Sequence, residues 1–114
     1  MPGDIIYINV EEGLNRMMKN IVLFNKLLVK FKNDKTIDDI ESAFAGGDAE
    51  KAKVAAHTLK GLAANLSLIE LYKQVLELET QLKAGTFNND QMALVRTTFD
   101  KTLPEIDKVI NSYV

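Results

Sequence analysis

The sequence predicts an all-α protein, an antiparallel four-helix bundle with additional short N-terminal and flanking helices. Apolar residues recur at three- and four-residue spacing along nearly the whole chain. Helix-capping residues recur before the periodic stretches, and only two prolines occur, Pro2 and Pro104. The one alternating segment, residues 5–8, is too short and too isolated to make a sheet. We therefore expect it to be an extended lead-in that packs on the bundle.

Start and stop signals place the individual helices. Asn9 with Glu12, and Ser67 with Glu70, match the capping box, in which the first side chain accepts from a first-turn N–H and the glutamate reaches back. Gly85 is free to take the left-handed conformation that ends a helix. The four long helices form the bundle and the two short ones cap or flank it. The predicted helices lie at about 10–18, 20–32, 37–45, 49–66, 68–84 and 89–112.

Composition indicates one soluble globular domain over residues 1–114, since 46% of the residues are hydrophobic and 26% are charged. The formal net charge of -2 argues against general nucleic-acid binding, which needs a basic surface. The absence of cysteine excludes disulfides and thiolate metal sites. No apolar run approaches the roughly 20 residues of a membrane span, and residues 1–4 do not resemble a signal peptide. We expect a cytoplasmic monomer, and the methionine start favours a free protein.

The chain has a single histidine, His57, in the helix predicted at 49–66. At about 100° per residue, His57 lies about 180° from the centre of the apolar stripe of that helix. Lys53, Gly61 and Ala64 fall within about 40° of it on the same scale, and Lys60 lies about 60° from it. The water-facing side therefore combines one nucleophile, two cations and two small residues.

A solvated surface histidine is the ordinary alternative, and three details argue against it. Gly61 lies inside a helix, where glycine costs about 1 kcal/mol relative to alanine. It points away from the apolar stripe, which disfavours a close helix crossing and favours close approach of another molecule. Ala64, with its small side chain, projects little from the same side of the helix. Lys60 follows His57 by one helical turn and can reach over the imidazole toward a bound anion.

Residues 56–66, Ala-His-Thr-Leu-Lys-Gly-Leu-Ala-Ala-Asn-Leu, closely resemble the motif of the histidine-containing phosphotransfer (HPt) family. The resemblance extends to residues 10–14, to Phe31, to residues 43–48 and to the Leu-Glu pair that ends at Glu79. One departure is Ser67, where the family commonly has glycine. We expect serine to make the same turn by side-chain hydrogen bonding, without glycine's backbone freedom.

The resemblance implies that His57 accepts a phosphoryl group on Nε2 from a receiver-domain aspartate and passes it to another receiver. Lys60, and secondarily Lys53, would stabilise the charge of the transferring group. Gly61 and Ala64 would give a partner access. Glu79 would either accept a hydrogen bond from Nδ1–H and orient the histidine, or be a solvated surface acid.

The same resemblance implies a phosphocarrier and not an autonomous enzyme. The sequence has no glycine-rich nucleotide loop and no acidic cluster placed as a magnesium site. We expect no cofactor or metal on this chain, Mg²⁺ on the receiver partner, and receiver domains and a hybrid sensor histidine kinase as partners. Two alternatives stay open. One is a chemotaxis-kinase-type substrate domain phosphorylated by an ATP-binding kinase domain, and the other is a non-catalytic helical adaptor that binds a receiver domain.

Overall fold

The computed structural model describes residues 5–112, and it confirms the predicted all-α fold. Each helix begins and ends within two residues of its predicted bound. Residues 1–4, on which the signal-peptide expectation rested, and residues 113–114 lie outside the described part. The helices are α1 (Val10–Arg16), α2 (Ile21–Lys32), α3 (Thr36–Gly46), α4 (Ala49–Asn65), α5 (Ile69–Lys83) and α6 (Asn89–Ser112).

The bundle is arranged around α4, which packs against α3 on one side and α5 on the other. In turn α5 packs against α6, and both α2 and α3 contact α6. The predicted flanking helix α3 is closely integrated, because Ile37, Ile40 and Ala43 are buried. Large side chains with almost no exposed surface fill the centre: Phe24, Leu28, Leu59, Leu68, Leu71, Val75, Leu78, Val95 and Ile106. No helix within residues 5–112 has the length and hydropathy to cross a bilayer.

The start of α4 is fixed by the turn that precedes it. Gly47 takes the left-handed conformation, with φ of 66°, and ends α3. The Asp48 side chain then accepts a hydrogen bond from the Lys51 N–H at 3.1 Å and caps α4. A second glycine, Gly85, ends α5 with φ of 85°, which confirms the left-handed conformation predicted for it.

The capping box predicted at Asn9 is half wrong. The Asn9 side chain does accept from the Glu12 N–H at 3.1 Å. The Glu12 carboxylate does not return to Asn9, however, because it accepts from the Ser67 Oγ at 2.9 Å. The Asn9 N–H donates instead to the Ser67 carbonyl at 2.9 Å. The tertiary contact with the α4–α5 turn therefore replaces the local contact that sequence spacing suggested.

The prediction that Ser67 caps α5 is also wrong. The N-cap of α5 is Leu68, and no side chain caps it. Ser67 has φ of 55°, and it closes α4 through hydrogen bonds from its own N–H to the Ala64 carbonyl and from the Leu68 N–H to the Ala63 carbonyl. Ser67 thus takes the left-handed backbone conformation that glycine favours, which is the conformation we expected it to avoid.

The lead-in at residues 5–8 forms no helix or strand, and it packs on the bundle as predicted. The Ile69 N–H donates to the Tyr7 carbonyl at 2.9 Å, beside the bond from Asn9 to Ser67. The Ile8 side chain packs against the core. The lead-in and α1 are therefore attached to the turn between α4 and α5.

Candidate functional site

His57 lies on the water-facing side of α4, and its side chain is 71% exposed. The ring Nδ1 lies 2.8 Å from the Oε2 atom of Glu79, which belongs to α5. This contact turns one ring nitrogen toward the bundle and leaves Nε2 on the outer side of the ring. An exposed histidine that is held by a neighbouring helix differs from a freely rotating surface residue.

Glu79 is buried, with only 3% of its side chain exposed, so it is not the solvated surface acid that was the second alternative. Its Oε1 atom accepts from Lys60 Nζ at 2.5 Å, and Lys83 Nζ lies 3.8 Å from the same oxygen. Burial acts to raise the pKa of this carboxyl. Hydrogen bonds from Lys60 and His57, with the charges of Lys60 and Lys83, outweigh burial and hold the pKa below its usual range.

The ionised state of Glu79 decides the tautomer of His57. An ionised carboxylate has no proton and can only accept hydrogen bonds. Nδ1 of His57 must therefore carry the proton that it shares with Glu79 Oε2. In the neutral imidazole the free lone pair is then on Nε2, which faces the solvent.

The two predicted cationic residues lie at the edge of the exposed side of α4, not over the imidazole. Lys60 turns to Glu79, and Lys53 pairs with Glu50 at 2.6 Å. The reason is that α4 also buries its small residues Ala56 and Ala63. Adding them to the predicted stripe rotates its centre by about 20–30° toward Lys60. The predicted outward side, based on a stripe of alanines and leucines without these two residues, was offset by this amount.

Gly61 and Ala64 are exposed on α4 near His57. A Cβ atom built on Gly61 meets no atom within 4 Å, so no contact among the described residues requires glycine there. Gly13 in α1 is different, because a Cβ on it would lie 2.7 Å from the Phe24 ring. Packing explains Gly13, whereas Gly61 leaves an open, low surface beside the histidine.

An open groove of about 400 Å³ runs beside His57 between α4 and α5. Its lining includes Lys83, which the sequence analysis did not single out. The sequence does contain a signal for Lys83. It follows Glu79 by four residues, and residues four apart lie on the same side of a helix. Within residues 5–112, no group of three or more histidine or acidic side chains is placed to hold a metal ion.

Comparison with known families decides the identity of this arrangement. The family model of the Hpt domain matches residues 30–110, well over half of the chain. The chain belongs to the Hpt domain family. Hpt domains are histidine phosphotransfer modules of phosphorelays, acting as phosphocarriers that interact with receiver domains and kinases. No curated protein and no solved structure matches the chain significantly.

The match to the Hpt model covers α3, α4 and α5 completely and most of α6. It therefore contains His57, Lys60 and Gly61 on α4, together with Glu79 and Lys83 on α5. Helix α1 and the lead-in precede the matched region. They reach this Hpt domain through Ser67, which stands in the turn that follows the histidine helix.

Proposed function

We propose that His57 accepts a phosphoryl group on Nε2 from the aspartyl phosphate of a receiver domain and passes it to the aspartate of another receiver. The observation that supports this most strongly is the contact of His57 Nδ1 with the buried carboxylate of Glu79. It fixes the proton on the inner nitrogen and leaves the outer one as the nucleophile.

In the proposed step, the Nε2 lone pair attacks phosphorus, the N–P bond forms and the P–O bond to the donor aspartate breaks. The donor leaves as a carboxylate, so no proton has to move at Nε2. Charge on the phosphoryl oxygens is stabilised by Lys60 and, from further away, Lys53. We place the Mg²⁺ of the reaction on the receiver partner and propose no cofactor on this chain.

We propose that the receiver approaches over Gly61 and Ala64, because these residues leave the surface beside His57 low. In-line transfer requires the donor aspartate, phosphorus and Nε2 to be aligned, and a 71% exposed histidine allows this. The physiological setting that we propose is a cytoplasmic monomer linking a hybrid sensor histidine kinase to a receiver.

The test is to mix the protein with receiver domains labelled by radioactive acetyl phosphate, and separately with a kinase domain and labelled ATP. We expect label from receivers on the wild type and none on His57→Gln. Uptake by His57→Gln at any residue would defeat the proposal. Label only from the kinase domain would favour the chemotaxis-type substrate domain. Stable receiver binding by a wild type that is never labelled would favour the adaptor.

Gly61→Gln tests the proposed approach of the receiver. The substitution places a long side chain on the low surface, so transfer from a receiver should fall at least tenfold, about 1.4 kcal/mol of barrier. The helix should become slightly more stable, because glycine costs about 1 kcal/mol in a helix interior. Transfer kinetics and thermal unfolding measure the two effects. Unchanged transfer rates would remove Gly61 from the docking surface.

A further inference from the structure

Two lysines on different helices face one oxygen of Glu79. Lys60, from α4, is in contact with Oε1 at 2.5 Å, and its side chain is only 20% exposed. Lys83, from α5, lies 3.8 Å from the same oxygen and is 65% exposed. One lysine is therefore held against the carboxylate, while the other lies within a short movement of it.

Phosphorylation of His57 would add negative charge beside the cluster formed by Glu79, Lys60 and Lys83. A phosphoryl group carries close to two negative charges near neutral pH. Lys60 follows His57 by one turn, and its ammonium lies on Glu79 Oε1, so reaching a phosphoryl group on the outer Nε2 would draw it away from that oxygen. The carboxylate of Glu79 is buried, and a buried carboxylate without a cation is strongly disfavoured.

Lys53 is not available to replace Lys60 at Glu79, because it is already paired with Glu50 at 2.6 Å. Lys83 does, since it lines the same groove as His57 and faces the oxygen that Lys60 would leave. Its position four residues after Glu79 on α5 keeps it there without any backbone movement.

We propose that Lys83 is a positioning residue that replaces Lys60 at Glu79 Oε1 when His57 is phosphorylated. The exchange releases Lys60 toward the phosphoryl group, while Glu79 stays ionised and keeps its hydrogen bond from His57 Nδ1. This inference rests on the proposed function. It adds that the phosphorylated site needs two cations, Lys83 for the carboxylate and Lys60 for the phosphoryl group.

The unphosphorylated protein provides the first test, by NMR titration of the Glu79 carboxyl in Lys60→Gln, in Lys83→Gln and in the double variant. Lys83→Gln should leave the Glu79 pKa near the wild-type value, because Lys60 remains. Lys60→Gln should raise it only slightly, since Lys83 moves in. The double variant should raise it by more than the two single effects together. A double variant that titrates like Lys60→Gln would overturn the exchange.

The phosphorylated protein provides the second test, with phosphoramidate as the donor and ³¹P NMR to follow phosphohistidine. Lys83→Gln should lower the fraction of phosphoryl group retained on His57, in equilibrium with a receiver, by about three- to fivefold. Lys83→Arg should restore it. The matched control is Lys73→Gln, which removes one exposed lysine from the same helix, nearly three turns away from Lys83.

The two proposals fail differently in this experiment. A wild type that takes no phosphate from either donor defeats the proposed function. A wild type that is labelled normally, with Lys83→Gln indistinguishable from Lys73→Gln, defeats only the exchange. A Lys83→Gln variant that also loses the His57 Nδ1 proton signal before phosphorylation would show that Lys83 acts in the unphosphorylated site, and would likewise overturn the exchange.

Discussion

Two glutamate-centred networks have different roles, one between α4 and α5 at the site and the other between α1 and the α4–α5 turn. At the site, Glu79 accepts from Lys60 and from His57. At the α4–α5 turn, Glu12 accepts from the Ser67 hydroxyl and from Arg16 at 3.1 Å. Each network therefore joins one carboxylate to cationic and hydrogen-bonding side chains from two elements of the fold.

Burial separates the two networks. The Glu79 side chain is 3% exposed, whereas that of Glu12 is 53% exposed. Hydrogen bonds from Ser67 and Arg16 lower the pKa of Glu12, and burial raises that pKa by less. At Glu79, burial opposes ionisation and the two lysines and His57 have to overcome it. The Glu12 network holds a turn in place, while the Glu79 network holds a proton in place.

The largest expected effect separates these two roles directly. Glu79→Ala removes the acceptor that keeps the proton on His57 Nδ1, so phosphate uptake from phosphoramidate should fall about ten- to a hundredfold, the equivalent of one charged hydrogen bond. Glu12→Ala should leave uptake within about twofold, because it touches only the turn. Equal losses in both variants would contradict the different roles of the two networks. Circular dichroism checks that each variant is folded.

Ser67 offers a second, smaller contrast within the turn network. Ser67→Ala keeps the left-handed backbone but loses both hydroxyl hydrogen bonds, so the free energy of unfolding should fall by about 1 kcal/mol. Ser67→Gly loses the same bonds but relieves a backbone conformation that costs a non-glycine residue about 1–2 kcal/mol. It should therefore remain close to the wild type in urea unfolding. A glycine variant less stable than the alanine variant would contradict this account.

The smallest expected effect is in the pH dependence of stability. The folded pKa of Glu79 lies below its ordinary value of 4.5, so its ionised form contributes stability above about pH 4.5. That contribution is lost as the pH falls through the lower folded pKa. The urea midpoint should therefore decline on acidification from pH 6 to pH 3 more steeply in the wild type than in Glu79→Gln. Glu12→Gln should change this slope less, because its carboxylate is exposed and screened by solvent.

The sequence by itself determined the helices and the position of His57. Apolar spacing and caps are local signals, so the bounds of the six helices within residues 5–112 could be predicted to within two residues. The exposure of His57 followed from the same periodicity, because a residue opposite an apolar stripe faces water. The exposure of Gly61 followed in the same way, and the structure adds that no contact within the described residues requires glycine there.

Only the tertiary structure decided what the polar side chains contact. Glu79 is buried where α5 packs against α4, and the periodicity of one helix could not show which side of α4 its neighbours would cover. Lys60 therefore reaches Glu79 and not the imidazole. The hydroxyl of Ser67 bonds to Glu12 and Arg16, which are more than fifty residues away in sequence. Such contacts depend on packing between distant segments, which spacing along one helix does not encode.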